Sequence, residues 1–197
     1  MSESVSHNNH WEEITDTAAR VARGTVAGFI GGLVASWVMN RYQAVENRPV
    51  IVRRIEELET FVGIPHEEAK PAAAAAQIDG DAPTVMVAQK ISREMFNHEL
   101  SPLEKKVAGP AVHFGYGAAV GAIYGGLSEL LPVVGIGLGI PYATLLCVAG
   151  GEIAVPALGL SKPPTQVPPA SHASSLATHF VYGITLDISR RILRRIL

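Results

Sequence analysis

The sequence predicts an all-α membrane protein, a four-span helical bundle with glycine-rich helix packing and a soluble helical insertion between the first and second spans. Three observations predict it. Apolar residues are segregated: residues 1–20 and 41–106 are polar and charged, while the remainder is apolar, rich in small residues and nearly charge-free. The stretch from Val107 to Ser128 carries no formal charge, and at ~1.5 Å per residue it is long enough to cross a hydrocarbon core of ~30 Å. Many of the 19 glycines recur at every fourth position, which places them on helix faces. In water each interior Gly would cost a helix ~1 kcal/mol against Ala. In lipid the backbone stays hydrogen-bonded regardless, and small residues let another helix approach closely.

Composition narrows the alternatives. A net charge of −2 gives no basic field for nucleic acid. The single cysteine, Cys147, excludes an intrachain disulfide framework and a cysteine-based zinc site, and reads as a packing residue. The amino terminus, MSESVSHNNHWEEITD, lacks the basic start of a secretory signal, so the first span is expected to be retained. A soluble reading, with the glycine-rich helices buried in a large oligomer, is the alternative to a bilayer.

Residues 1–22 read as a polar, mobile tail with a short helix after Asn9. The first span occupies 23–42, where Trp37 and Tyr42 suit the interface at one end. Its fourth-residue row is Gly24, Gly28, Gly32, Ser36 and Asn40. The insertion spans 43–105. It contains one short amphipathic helix from Pro49, a linker between Pro71 and Pro83, and a second amphipathic run capped by Thr84. That run carries Val85, Val87, Ala88, Ile91 and Met95 on one side, suited to an interface or to the mouth of the bundle.

Ser101-Pro102-Leu103-Glu104 is a capping signal before the second span, 106–131. Its row is Gly109, His113, Gly117, Gly121, Gly125 and Glu129. Pro132 marks a tight reversal into the third span, 135–160, antiparallel to the second. There the row is Gly135, Gly139, Ala143, Cys147 and Gly151, and Pro141 and Pro156 predict kinks. A proline-rich connector, 161–170, leads to the fourth span and basic end, 171–197. The row Ser171, Ser175, His179, Gly183, Asp187 and Arg191 makes this last helix too polar to face lipid all round.

Two segments share the pattern H-F-x-Y-G: His113-Phe114-Gly115-Tyr116-Gly117 and His179-Phe180-Val181-Tyr182-Gly183. Each lies in the second helix of a pair, which suggests a parallel internal repeat of the kind some transporters use. Chance or convergence on the same packing is the other explanation of so short a match.

The carboxyl half also resembles a known family. Pro156-Ala-Leu-Gly-Leu-Ser-Lys-Pro-Pro, then His179-Phe-Val-Tyr-Gly, then Asp187-Ile-Ser-Arg-Arg-Ile-Leu-Arg-Arg, is similar to the YagU-like inner-membrane proteins. Ala27–Asn40 is similar more weakly, and the long middle segment has no counterpart there. The resemblance covers about half the chain. It implies an inner-membrane location and a helical fold, and it implies no biochemical activity.

Ionisable residues inside spans are the default candidates for function. Glu129, beside the reversal, reads as an interface residue, and Asp187 as a local pair with Arg191. Glu152 has two readings: ligand or proton handling, or a structural hydrogen bond to Asn40, a Tyr or a Ser on another helix. His113 and His179, with Tyr116 and Tyr182 beside them, read as neutral cross-helix hydrogen-bonding groups or as proton or ion sites. A bis-histidine haem b is a minor alternative, with Gly117 and Gly183 making room. Otherwise no cofactor or metal is expected, nor a catalytic residue, since no nucleophile elbow, phosphate loop or zincin helix occurs.

The expected function is therefore a non-enzymatic accessory subunit or stress-related membrane factor. The alternative is a small oligomeric transporter or proton-coupled channel. Expected partners are the lipid bilayer and a second copy or a larger membrane complex. Both termini are expected in the cytoplasm.

Overall fold

The computed structural model describes residues 2–46 and 75–197. The amphipathic helix expected from Pro49 lies outside the described residues, as does the start of the linker. The described residues are helical, with one isolated bridge, Ile78 to Asp81, closing a turn. The helices are α1 (Ser2–Glu46), α2 (Pro83–Phe96), α3 (Pro102–Leu130), α4 (Ile140–Ala157) and α5 (Pro169–Leu193).

α1 runs unbroken through the segment read as a mobile tail. No proline occurs before Pro49, and once the glycine-bearing half is packed, each further residue extends the helix by one hydrogen bond. α3 begins four residues before the expected span, because its cap is complete. Ser101 Oγ accepts from the Glu104 amide at 3.3 Å, and Glu104 Oε2 accepts from the Ser101 amide at 2.7 Å.

After Pro132 a single 3₁₀ turn, Pro132–Gly135, reverses the chain. Three successive left-handed residues, Gly137, Leu138 and Gly139, then aim it into α4. Gly139 is required twice over: its φ is +74°, and a Cβ there would lie 2.3 Å from the Gly183 carbonyl oxygen.

Pro141 produces no kink, since it sits in the first turn of α4, where no amide is needed. Past Leu145 the helix winds as a π-helix over Leu146–Ala154 before a last α-turn, Val155–Ala157. Wider winding ahead of Pro156 relieves the clash that a proline ring makes with the carbonyl four residues earlier.

α1 lies between α3 and α5 and antiparallel to both. The two glycine rows meet on the α3 side. A Cβ on Gly28 would be 2.1 Å from the Gly121 carbonyl oxygen, one on Gly32 2.3 Å from that of Gly117, and one on Gly24 2.6 Å from that of Gly125. On the α5 side Gly31 meets the Leu186 backbone, with a Cβ distance of 3.2 Å. α4 packs against α5 through the third and fourth rows. A Cβ on Gly183 would be 2.5 Å from the Gly139 oxygen, and Cys147 Sγ lies 3.6 Å from Ser175 Oγ. α3 and α5 therefore run parallel, and the core between the helices is Ala35, Met39, Val120, Tyr124, Tyr182 and Leu186.

Three predicted packing glycines behave differently. Gly109 meets Val85 of α2, 2.7 Å from a would-be Cβ, so the insertion and not a span covers it. Gly135 keeps ordinary contact distances and uses its carbonyl, which accepts from Arg191 at 2.7 Å. Gly151 faces open space, because the π-winding turns it off the row.

Among the described residues two helical segments are long and apolar enough to cross a membrane, Glu13–Glu46 and Ile140–Ala157. α3, read as the second span, is long enough but is not one of them, because its glycines, tyrosines and His113 lower its hydropathy.

Candidate functional site

The parallel course of α3 and α5 brings the H-F-x-Y-G segments side by side. Their offset is 66 positions (179 − 113). The contacts between the two helices fall at nearly that offset: Tyr182 Oη donates to the Gly117 carbonyl at 2.6 Å, an offset of 65. Tyr124 Oη donates to Asp187 Oδ1 at 2.9 Å, an offset of 63.

A third tyrosine, Tyr142 of α4, donates to the Val120 carbonyl at 2.8 Å, with its ring 4.9 Å from that of Tyr124. Three tyrosines thus tie the core together through buried polar tips. Tyr116 instead points outward and is half exposed, its hydroxyl beside the Gly150 backbone.

Polar groups gather at the two ends. At the end formed by the carboxyl termini of α3 and α5, Asp187 is fully buried. It accepts from Tyr124 and, at 2.7 Å, from Arg191 Nε, with Arg190 Nε 3.8 Å away. Glu129 is not an isolated interface residue. Arg194 donates to both its carboxylate oxygens, at 2.7 and 3.1 Å, and Arg190 to one at 3.3 Å. Its side chain is only 12% exposed. Arg20 of α1 closes the cluster by donating to the Glu129 carbonyl at 3.1 Å.

Two acids thus face Arg190, Arg191 and Arg194 of α5 and its tail, and Arg20 of α1 joins them through the Glu129 main-chain carbonyl. Sequence reasoning paired Asp187 with Arg191, read the remaining arginines of the last helix only as a basic end, and gave Glu129 no arginine partner. The repeat contained the missing signal: the offset of 66 takes Glu129 to position 195, one residue from Arg194.

At the opposite end lie His113, His179 and Glu152. His179 Nδ1 is 2.7 Å from the Ser175 carbonyl. His113 stands edge-on to Phe114, and its Nε2 is buried without a hydrogen-bond partner. Glu152 pairs with His172, at 2.8 Å from Nδ1, and not with Asn40, a tyrosine or a serine. His172 also contacts the Pro164 carbonyl at 3.1 Å, which pins the proline-rich connector to the start of α5.

Ser174 donates to Glu46 at 2.7 Å, tying the end of α1 to α5. Asn40 is half-buried on the α1 face. The room a haem plane would need at Gly117 and Gly183 is taken by Ser36 and by Gly139 and Ala143. Among the described residues no three His, Cys, Asp or Glu side chains converge as metal ligands.

The arrangement is therefore built for electrostatic and packing work: an ion-pair cluster at one end, two imidazoles and a Glu–His pair at the other, and a tyrosine-laced core between. Neither a curated protein nor a solved structure matches the chain. A family match covers residues 60–188, more than half the sequence. It takes in the middle segment from residue 60 onward, which resembled nothing, and leaves out α1, whose glycine row closes the bundle, and the arginine-rich end after residue 188. On that match the chain belongs to the family described as Protein of unknown function (DUF1440).

Proposed function

We propose that the protein is a multi-pass integral membrane protein of four spans, working as a non-enzymatic accessory subunit or stress-related membrane factor. One observation carries the membrane assignment: of the 18 residues of α4 only Ala143 and Cys147 are buried. Leu145 and Ile153 are each 60% exposed. A helix so apolar is uncovered in water, and exposure on this scale marks a lipid or protein contact. The outer faces of α1 and α3 continue the belt with Val26, Phe29, Trp37, Ile123 and Leu130.

The likeness of the carboxyl half to YagU-like proteins supports an inner-membrane location. The arginine-rich end, with Arg20 and the four arginines of α5 and its tail, faces the cytoplasm by the positive-inside tendency. Extraction tests the assignment: the protein should stay in the pellet in alkaline carbonate and dissolve only in detergent. Release of intact protein by carbonate or high salt refutes it. A subunit role predicts recovery of a stable partner or self-oligomer in mild detergent, and a clean monomer argues against it.

A second reading, proton-coupled transport, is favoured by one feature. His113 and His179 occupy equivalent repeat positions, and His113 Nε2 is buried without a partner. In proteoliposomes a pH gradient should then collapse faster than in empty vesicles, and His113→Ala or His179→Ala should abolish the excess. Wild-type vesicles that leak no faster than lipid refute this reading.

A further inference from the structure

Resting on the membrane reading above, we propose that the corner formed by the end of α2 and the start of α3 is an interfacial anchor. There α2 lies in the headgroup region of the bilayer that the bundle crosses.

α2 was expected to carry one apolar side, and the structure divides it. Ala88 is buried and Val85 closes onto Gly109 of α3, whereas Ile91 is 45% and Met95 72% exposed. Phe96 follows at 71%, and across the connecting turn Leu103 and Val107 are exposed at 73% and 68%. The corner is rigid enough to hold such a surface. Ser92 Oγ donates to the His98 carbonyl at 2.9 Å, and Gln89 accepts from the Leu100 amide at 3.1 Å. Lys105 pairs with Asp81 at 2.6 Å.

Continuity and length identify the occupant. Leu103 and Val107 begin an exposed row of small and apolar residues that repeats every fourth position along α3 to Leu131. Twenty-eight residues of rise separate its ends, about 42 Å of helix. The hydrocarbon core takes ~30 Å, and the headgroup regions bring the total to ~40–45 Å. The excess puts the Leu103 end, with Met95 and Phe96 a few residues before it, at headgroup depth. Charged side chains around the corner, Lys90, Glu94 and Lys106, are exposed, as befits a helix half in water. A soluble protein partner would need no such match of level with the α3 row.

Depth-resolved quenching tests the proposal. In full-length protein with Cys147→Ala, a nitrobenzoxadiazole probe is attached at Met95→Cys, Glu94→Cys or Leu145→Cys and reconstituted into vesicles. Nitroxide lipids labelled near the headgroup or near the chain end serve as quenchers. The expected result is blue-shifted emission at position 95, quenched more by the shallow nitroxide. Position 145 should be quenched more by the deep one, and position 94 should remain water-like. Quenching at 145 with a water-like spectrum at 95 overturns the anchor and leaves the membrane reading intact. A water-like spectrum at both positions overturns both.

Discussion

Replacing Gly28 by Ala probes the closest layer of the α1–α3 contact. The new Cβ would stand 2.1 Å from the Gly121 carbonyl oxygen and 2.9 Å from the Gly125 Cα, and both are backbone atoms that no rotamer change can move. Reaching an ordinary contact of 3.4 Å means that the helices part by more than an ångström. That separation also loosens the layers at Gly24–Gly125 and Gly32–Gly117.

Overpacking of this kind costs about 1–3 kcal/mol. Losing weak Cα–H···O contacts adds roughly 0.5–1 kcal/mol each, and the better helix propensity of Ala returns up to ~1 kcal/mol. The net expectation is a loss of about 1–3 kcal/mol. Gly115→Ala is the control. Nothing lies within 4 Å of its Cβ position, so it should be neutral or stabilising by up to ~1 kcal/mol. Unfolding in mixed micelles, followed by far-ultraviolet circular dichroism, measures both. Equal stability of the two variants would refute the close approach of the glycine rows.

Three further outcomes follow from the polar ends. Tyr124→Phe removes a hydrogen bond to the fully buried Asp187 and should cost about 1–3 kcal/mol; a double-mutant cycle with Asp187→Asn should show a coupling well away from zero. Glu129→Ala removes both carboxylate bonds of the largely buried Arg194 and the closer ion-pair partner of Arg190, and should destabilise by about 3–5 kcal/mol, as broken buried pairs do; a loss under ~0.5 kcal/mol in the same micelle titration would mean the cluster is solvated. At the α3 cap, hydrogen bonds from the Ser101 backbone and side chain, then from His98, hold the Glu104 carboxyl down at about 2 from an ordinary 4.5. Because the folded value is depressed, the cap contributes fully above pH 4.5 and is lost as pH falls toward 2. Amide exchange at the first turn of α3 should rise over that window in the wild type and stay flat in Glu104→Gln.

The helix faces were legible in the sequence because a four-residue period of small residues admits one geometry. All four rows were visible, and so was the capping box at Ser101. What a row cannot state is its partner. Nothing in Gly24, Gly28 and Gly32 names Gly125, Gly121 and Gly117, and Gly109 fits its row perfectly yet meets Val85 of the insertion. Gly151 was misread for a different reason: a four-residue period assumes α-winding, and the π-helical stretch breaks it.

Site residues divided along the same line. Asp187 with Arg191 is a local pair and could be read directly, whereas Glu129 with Arg194 and Glu152 with His172 are tertiary. Only the repeat offset pointed to the first, and no pattern in the sequence pointed to the second.

The Glu129 cluster also has a consequence in the order of synthesis. Glu129 leaves the ribosome 61 and 65 residues ahead of Arg190 and Arg194. At ~5–20 residues per second that interval is roughly 3–13 s. Throughout it α1 and α3 can already zip along their glycines, but of the arginines gathered at Glu129 only Arg20 is in place, and it bonds the main-chain carbonyl and not the carboxylate. The bundle therefore stays electrostatically unfinished until the last helix arrives. On the membrane assignment proposed above, a chain cut short before α5 carries a carboxylate without its Arg190 and Arg194 partners on an otherwise apolar hairpin, a flaw that membrane quality control can detect before the protein is complete.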